Sequence, residues 1–212
     1  MKKPSDLHHT LFAITAAAIL TELIPAFVTG SDKSLLRIYA VQGTVTVLAF
    51  GIWPLLLKTR KWPGYGTREC DSLLLLISAS LLGVIAQIAL GFLTESWISW
   101  TGTARDPGLP MPETGLEWAA AVLVLVILPA LAEEAFFRGM MVKGFHEVMP
   151  LSAAAAISVF LFAAAHMSIA AFPAMLVFGI MASLLAIKGG KLKYSIAFHL
   201  AYNLTALILS VL

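Results

Sequence analysis

The chain has 212 residues, of which 59% are hydrophobic and only 12% charged, and its mean hydropathy is +0.90. A soluble domain carries about 25% charged residues, so the balance points away from an aqueous globular fold and toward an integral membrane protein. A formal net charge of +2 is too small to suggest a nucleic-acid partner, and one cysteine, Cys70, leaves no internal disulfide and no cysteine metal cluster.

A spanning helix needs about 20 mostly apolar residues. Seven segments have that character: 9–28, 36–57, 72–94, 117–142, 151–167, 169–188 and 192–212. The expected fold is all-α, a single polytopic transmembrane helix bundle over residues 1–212. It has seven spans, or eight if the loop 95–115 hides another. No repeat, low-complexity tract or soluble-domain linker interrupts it.

The first segment follows Lys2 and Lys3 but lacks a small-x-small cleavage site, so it reads as a retained span rather than a signal peptide. It carries Glu22, expected as a capping or cavity residue, with gating as the alternative. His8 and His9 before it are expected to be solvated. The loop "KTRKWPGYGTREC" (58–70) gathers Lys58, Arg60, Lys61 and Arg68, a topogenic cluster that could also meet lipid head groups. The third span carries Gln87. After it, "ESWISWTGTARDPGLPMPETG" (95–115) has three prolines and two tryptophans, which fits a cap on the bundle or an interfacial segment. The fourth span holds "LAEEAFFRG" (131–139), preceded by Pro129, which is predicted to kink the helix and leave the carbonyl of Leu125 unpaired. A turn at Met149–Pro150 folds the fifth span, with His166, back on the fourth. The turn "KGGK" (188–191) does the same for the sixth and seventh, and the seventh carries His199 and Asn203. The "NLT" glycosylation pattern at 203–205 falls inside a span and is discounted.

The positive-inside rule gives the orientation. With the N-terminus in the cytoplasm, Lys2, Lys3, Lys58, Arg60, Lys61, Arg68, Arg138, Lys143, Lys188, Lys191 and Lys193 fall inside. Only Lys33, Arg37 and Arg105 fall outside, a split of 11 against 3. A multi-pass protein of a bacterial or archaeal plasma membrane is expected.

Ionisable groups inside a span are expensive and usually face a cavity or a partner. Glu134 and Arg138 are four apart and share a helix face, so they can pair. Glu133 is rotated by about 100° from Glu134 and cannot share that arginine equally. In "FAAAH" (162–166), Phe162 and His166 stand one turn apart; in "HLAYN" (199–203), His199 and Asn203 do the same. Glu133 and His166 each lie 15 residues from the Met149–Pro150 turn, about 22 Å in a regular helix. Register therefore predicts that Glu133, His166, His199 and Asn203 converge in the cytoplasmic half of the bundle.

A glutamate and a histidine facing one water can hydrolyse a peptide bond. Glu133 takes the water's proton, His166 orients the water, and His199 with Asn203 can donate to the oxyanion. No serine or cysteine stands beside a histidine as a nucleophile would. The same atoms admit a zinc set of Glu133, His166 and His199 with a water, although the HExxH helix pattern is missing. The version without a cofactor is preferred.

These motifs reach a family. "EEAFFR" (133–138) fits EExxxR, "FAAAH" fits FxxxH and "HLAYN" fits HxxxN, in that order and each in its own span. Residues 117–207 thus resemble the CAAX prenyl-protease and bacteriocin-processing family of intramembrane endopeptidases; residues 1–115 resemble it only as apolar spans. The resemblance implies an α-helical endopeptidase acting on a membrane-associated protein or peptide. It implies Glu133 and His166 as water activators, His199 and Asn203 as the oxyanion site, and Glu134, Arg138 and Phe162 as supporting residues. Family members were first labelled metalloproteases and later treated as glutamate-dependent; eight spans are common among them. A prenylated substrate follows only from the family's name, and in a bacterium a sorted or secreted peptide is more in keeping.

Plainer readings stand beside this one. An i, i+4 ion pair can simply lock a helix, a lone histidine can be a packing residue, and Asn203 can be interhelical glue. A transporter with a Glu/His proton path, or an immunity-type binding protein, would use the same residues without hydrolysis. A transporter is expected to show inverted repeats, and the sequence has none.

Overall fold

The computed structural model describes residues 7–17, 34–56, 71–105 and 111–212. Among them every regular element is helical and there is no strand. The helices are α1 (7–17), α2 (Leu35–Pro54), α3 (Leu73–Thr101), α4 (Gly115–His146), α5 (Leu151–Ala165), α6 (Phe172–Gly189) and α7 (Leu192–Leu209). The end of the first expected span with Glu22, the loop 58–70 with Cys70, and Lys2, Lys3 and Lys33 lie outside the described residues.

The second to seventh expected spans each map onto one helix, and residues 9–17 of the first lie in α1, yet the spans are unequal. By length and composition, α2, α3, α4 and α6 can cross a membrane, which makes this a multi-pass integral membrane protein. At 15 residues, or about 22 Å, α5 is shorter than the roughly 30 Å hydrocarbon core. The 18 residues of α7 include Lys193, His199 and Asn203 and fall short of the hydropathy of the other four. In the opposite direction, α3 runs to Thr101 rather than stopping at residue 94. Its 29 residues extend about 43 Å. The extension is a polar turn that supports itself: Ser96 and Thr101 bond back to the carbonyls of Phe92 and Trp97, and Glu95 pairs with Arg105. Gly102, at φ 68°, then ends the helix in a conformation that favours glycine. Among residues 102–105 and 111–114 no further helix appears.

The chain divides into two compact units, 1–62 with 110–154 and 63–109 with 155–212. In the first unit, α4 begins at a capping box. The hydroxyl of Thr114 accepts from the Glu117 N–H, and the Glu117 carboxylate accepts from the Thr114 N–H. Against α4 pack α2, with Phe50 ringed by Phe136 and Phe137 at 5.3 and 5.4 Å, and α1, whose Thr10 lies over Gly144. The expected kink at Pro129 takes another form. Proline at position i cannot bond the carbonyl at i−4, here Leu125; for Pro54 it is Phe50. Each of these carbonyls lies in a widened stretch, Val122–Ile127 or Val47–Gly51, where the register shifts to i−5: Leu128 N–H bonds Leu123 and Ile52 N–H bonds Val47. The helix widens and continues.

In the second unit, α3 buries Ala79, Gly83, Ala86 and Leu90, a 4-3-4 spacing that forms a narrow seam. The seam meets α7 so closely that a Cβ on Gly83 would collide with the Phe198 carbonyl oxygen. The two helices run parallel. At their starts the Ser72 N–H donates to the Tyr194 hydroxyl at 3.0 Å, and further along both, Gly83 meets Phe198 to Tyr202. α6 returns antiparallel: beyond its start the Ile169 carbonyl accepts from Trp97 Nε1 at 3.2 Å, near the end of α3. At the opposite end Asp71 receives Lys191 at 2.7 Å and also Lys193, whose hydrogen bonds pull its carboxyl pKa down to about 2. The outer face of α3, with Leu74, Leu81, Ile85 and Phe92, is exposed apolar surface suited to lipid.

Candidate active site

Glu134 and Arg138 form the expected pair. Arg138 Nη1 donates to Glu134 Oε1 at 2.9 Å, with the side chains 1% and 0% exposed. The surrounding helix is unusual. From Glu134 to Met141 it is a widened helix of eight residues, all of them buried, and no proline in that stretch accounts for it. Widened turns recur at functional sites. A wider turn also advances less per residue, so Glu133 stands nearer the Met149–Pro150 turn than regular helical rise implies. Glu133 is the last residue of the regular stretch before it and is half-buried. Glu133, Glu134 and Arg138 belong to the first unit; Phe162, His166, His199 and Asn203 belong to the second.

The second unit brings its motif residues together around two stacked rings. Phe162 is 1% exposed and lies 14° from parallel with Phe178, centroids 5.4 Å apart. The His166 ring meets Phe162 edge-on at 4.8 Å, and the His199 ring lies 6.3 Å from Phe162 and 4.8 Å from Phe178. Such edge contacts fix ring orientation as well as burying area. Phe162, expected only as a supporting residue, therefore touches His166 and lies beside His199. His199 is buried at 3% exposure, while His166 is open. Asn203 follows His199 by one turn and is half-buried.

His166 sits just past the end of α5. Its Nδ1 lies 2.9 Å from the Phe162 carbonyl oxygen. A carbonyl only accepts, so Nδ1 carries the hydrogen, and the neutral ring presents Nε2 as an acceptor. That is the arrangement a proton-accepting or water-orienting imidazole needs.

Sequence reasoning missed Phe178 and Tyr202, whose rings are 4.7 Å apart beside His199. The available signal was the series Ala174, Phe178, Ala182, Ala186, four buried positions at helical spacing with one large ring among alanines. Gln87, singled out in the third span, is half-buried on α3. For the zinc alternative, neither unit groups three His, Cys, Asp or Glu side chains among its described residues.

The family model described as type II CAAX prenyl endopeptidase Rce1-like matches residues 115–205. The match begins at the capping box of α4 and ends two residues after Asn203, so it holds all three polar motifs. No curated protein and no solved structure matches the chain.

Proposed function

Residues 115–205 belong to the Rce1-like type II CAAX prenyl endopeptidase family, and from that premise we propose that the chain is an intramembrane endopeptidase that cuts a membrane-associated protein or peptide. The observation that carries the reading is what the family segment holds: Phe162, His166 and His199, from two of its motifs, gather at the Phe162–Phe178 stack, and the third motif carries a buried ion pair next in sequence to Glu133. The reaction needs no covalent intermediate. Glu133 accepts a proton from a water that His166 orients through Nε2, and the water oxygen adds to the peptide carbonyl carbon. His199 and Asn203 donate to the oxyanion, a contribution of about 3–4 kcal/mol per donor. On collapse the C–N bond breaks, and the proton held by Glu133 passes to the leaving nitrogen. Glu134 and Arg138 hold the helix that presents Glu133, and Phe162 holds His166.

The finer topology goes with this reading: seven spans, or eight, an N-terminus in the cytoplasm and a polar catalytic cavity in the cytoplasmic half. Should a zinc ion serve instead, Glu133, His166 and His199 are the residues to hold it, and it would polarise the carbonyl. The test is quantitative comparison of membrane peptides in cells carrying wild type or Glu133→Ala. A peptide pair that is cleaved only with wild type is expected; identical peptide profiles remove the enzyme reading.

A further inference from the structure

Met167 is the one non-glycine residue with positive φ among the described residues, at +50°. Left-handed backbone disfavours a side chain with a Cβ, and such residues persist where the surroundings impose them. Met167 stands directly after His166. Its own side chain is 64% exposed, so packing of that side chain does not explain its backbone.

What the left-handed turn does is visible in the hydrogen bonds. In a continuing α-helix the backbone N–H of His166 would bond the carbonyl four residues back, which is that of Phe162. Here it bonds Ala163 at 3.3 Å, and Met167 N–H bonds Ala164 at 3.0 Å, so the last turn tightens and the helix stops. The Phe162 carbonyl is then taken by the His166 imidazole through Nδ1 at 2.9 Å. Beyond it, the next turn is fixed as well: the Ser168 hydroxyl accepts from Ala171 N–H at 2.9 Å, and the Ile169 carbonyl accepts from Trp97.

We propose that Met167 is a positioning residue: its left-handed backbone ends α5 one residue before His166 and so hands the Phe162 carbonyl to the imidazole, fixing the Nδ1–H tautomer with Nε2 outward. The backbone of Met167 matters and its side chain does not. The importance of the tautomer for hydrolysis rests on the protease reading above; the tautomer itself does not.

The experiment is ¹⁵N NMR of the imidazoles in the purified, detergent-solubilised protein labelled at histidine, with the His166 signals assigned by loss in His166→Gln. Wild type is expected to show His166 in the Nδ1–H form. Met167→Gly and Met167→Asn, which accept left-handed backbone readily, keep that form. Met167→Val, whose branched Cβ opposes it, moves His166 toward a mixture of tautomers. The same variants are then scored in cells for the membrane peptide whose cleavage depends on Glu133. Gly and Asn should retain processing, and Val should lose about 10²-fold or more, within the range ascribed to a positioned acid–base group. A wild-type tautomer in Met167→Val, or a tautomer altered in Met167→Gly and Met167→Asn, overturns the proposal. Tautomers behaving as stated while Glu133→Ala changes no peptide would leave Met167 its role and remove the protease reading alone.

Discussion

Replacing Arg138 by methionine keeps most of the side-chain volume and removes the guanidinium that faces Glu134. The two groups are 2.9 Å apart and almost wholly buried. At an effective dielectric constant of about 20, their Coulomb attraction is about 6 kcal/mol. Most of that offsets the cost of taking two ions out of water, which is several kcal/mol each. Truncating one partner leaves a buried carboxylate whose desolvation is no longer offset, and the expected cost is about 3–5 kcal/mol. Replacing both, as in Glu134→Met with Arg138→Met, removes the attraction and the desolvation together and is expected to be near neutral. The assay is unfolding in mixed micelles with rising sodium dodecyl sulfate, followed by circular dichroism, on wild type, the two single variants and the double variant. Each single variant should unfold at a clearly lower detergent fraction, and the double variant should recover most of the loss. An unchanged midpoint for Arg138→Met, or a double variant as weak as the two losses summed, would refute the reasoning. The double variant also separates scaffold from chemistry: if Glu134 only holds the helix, Glu133-dependent processing survives in it.

Two glycines of α3 should respond to alanine with opposite signs. At Gly83 the new methyl meets the Phe198 carbonyl and should cost about 1–3 kcal/mol, whereas Gly91, with open space around it, should gain about 0.5–1 kcal/mol; equal effects in the same unfolding assay would contradict the α3–α7 contact. Asn203→Ala should lower processing by about 10²–10³ without loss of fold, as expected for an oxyanion donor, and normal processing in that variant would reassign Asn203 to packing. Asp71 has its carboxyl pKa lowered to about 2 from 3.8 by Lys191 and Lys193. Its contribution is therefore present above pH 4 and lost as pH falls from about 4 to about 2, so an acid-unfolding profile of Asp71→Asn should match wild type at pH 2 and be the weaker of the two at pH 6. Chelator titration of the purified protein should leave processing intact, and loss of activity restored by zinc would favour the metal set instead.

Much of the fold was legible because the bilayer makes it so. Long apolar runs leave helix as the economical answer, and the breaks at Met149–Pro150 and "KGGK" were marked by proline and glycine. The division of the glutamates was legible for the same geometric reason: positions four apart share a face and adjacent ones do not, and Arg138 indeed bonds Glu134. The polar end of α3 was read as loop because hydropathy stops at Glu95, although the hydroxyls of Ser96 and Thr101 sustain the helix by bonding backward. The start of α4 at Gly115 was written in Thr114 and Glu117, a capping box overlooked in favour of hydropathy. The widened helix across Glu134–Met141 had no local marker. All eight of its residues are buried, and that packing is not displayed by a single sequence. The left-handed residue after His166 was equally hidden, since methionine carries no preference for that conformation.

The two units have different histories during synthesis. The first is assembled from 1–62 and 110–154, so all of its residues exist once position 154 has been made. The second needs the parallel pairing of α3 with α7, and the intervening helices must all be translated first. Through that interval the small-residue seam of Ala79, Gly83 and Ala86 has no matching ridge to close on. Parallel pairing of distant segments is slow to form because a long loop must be closed before any contact rewards it. The segment carrying His199 and Asn203 is thus also the one whose arrival lets the α3 seam close, and a chain stalled before α7 presents an open seam in the bilayer to any other helix with small residues on its face.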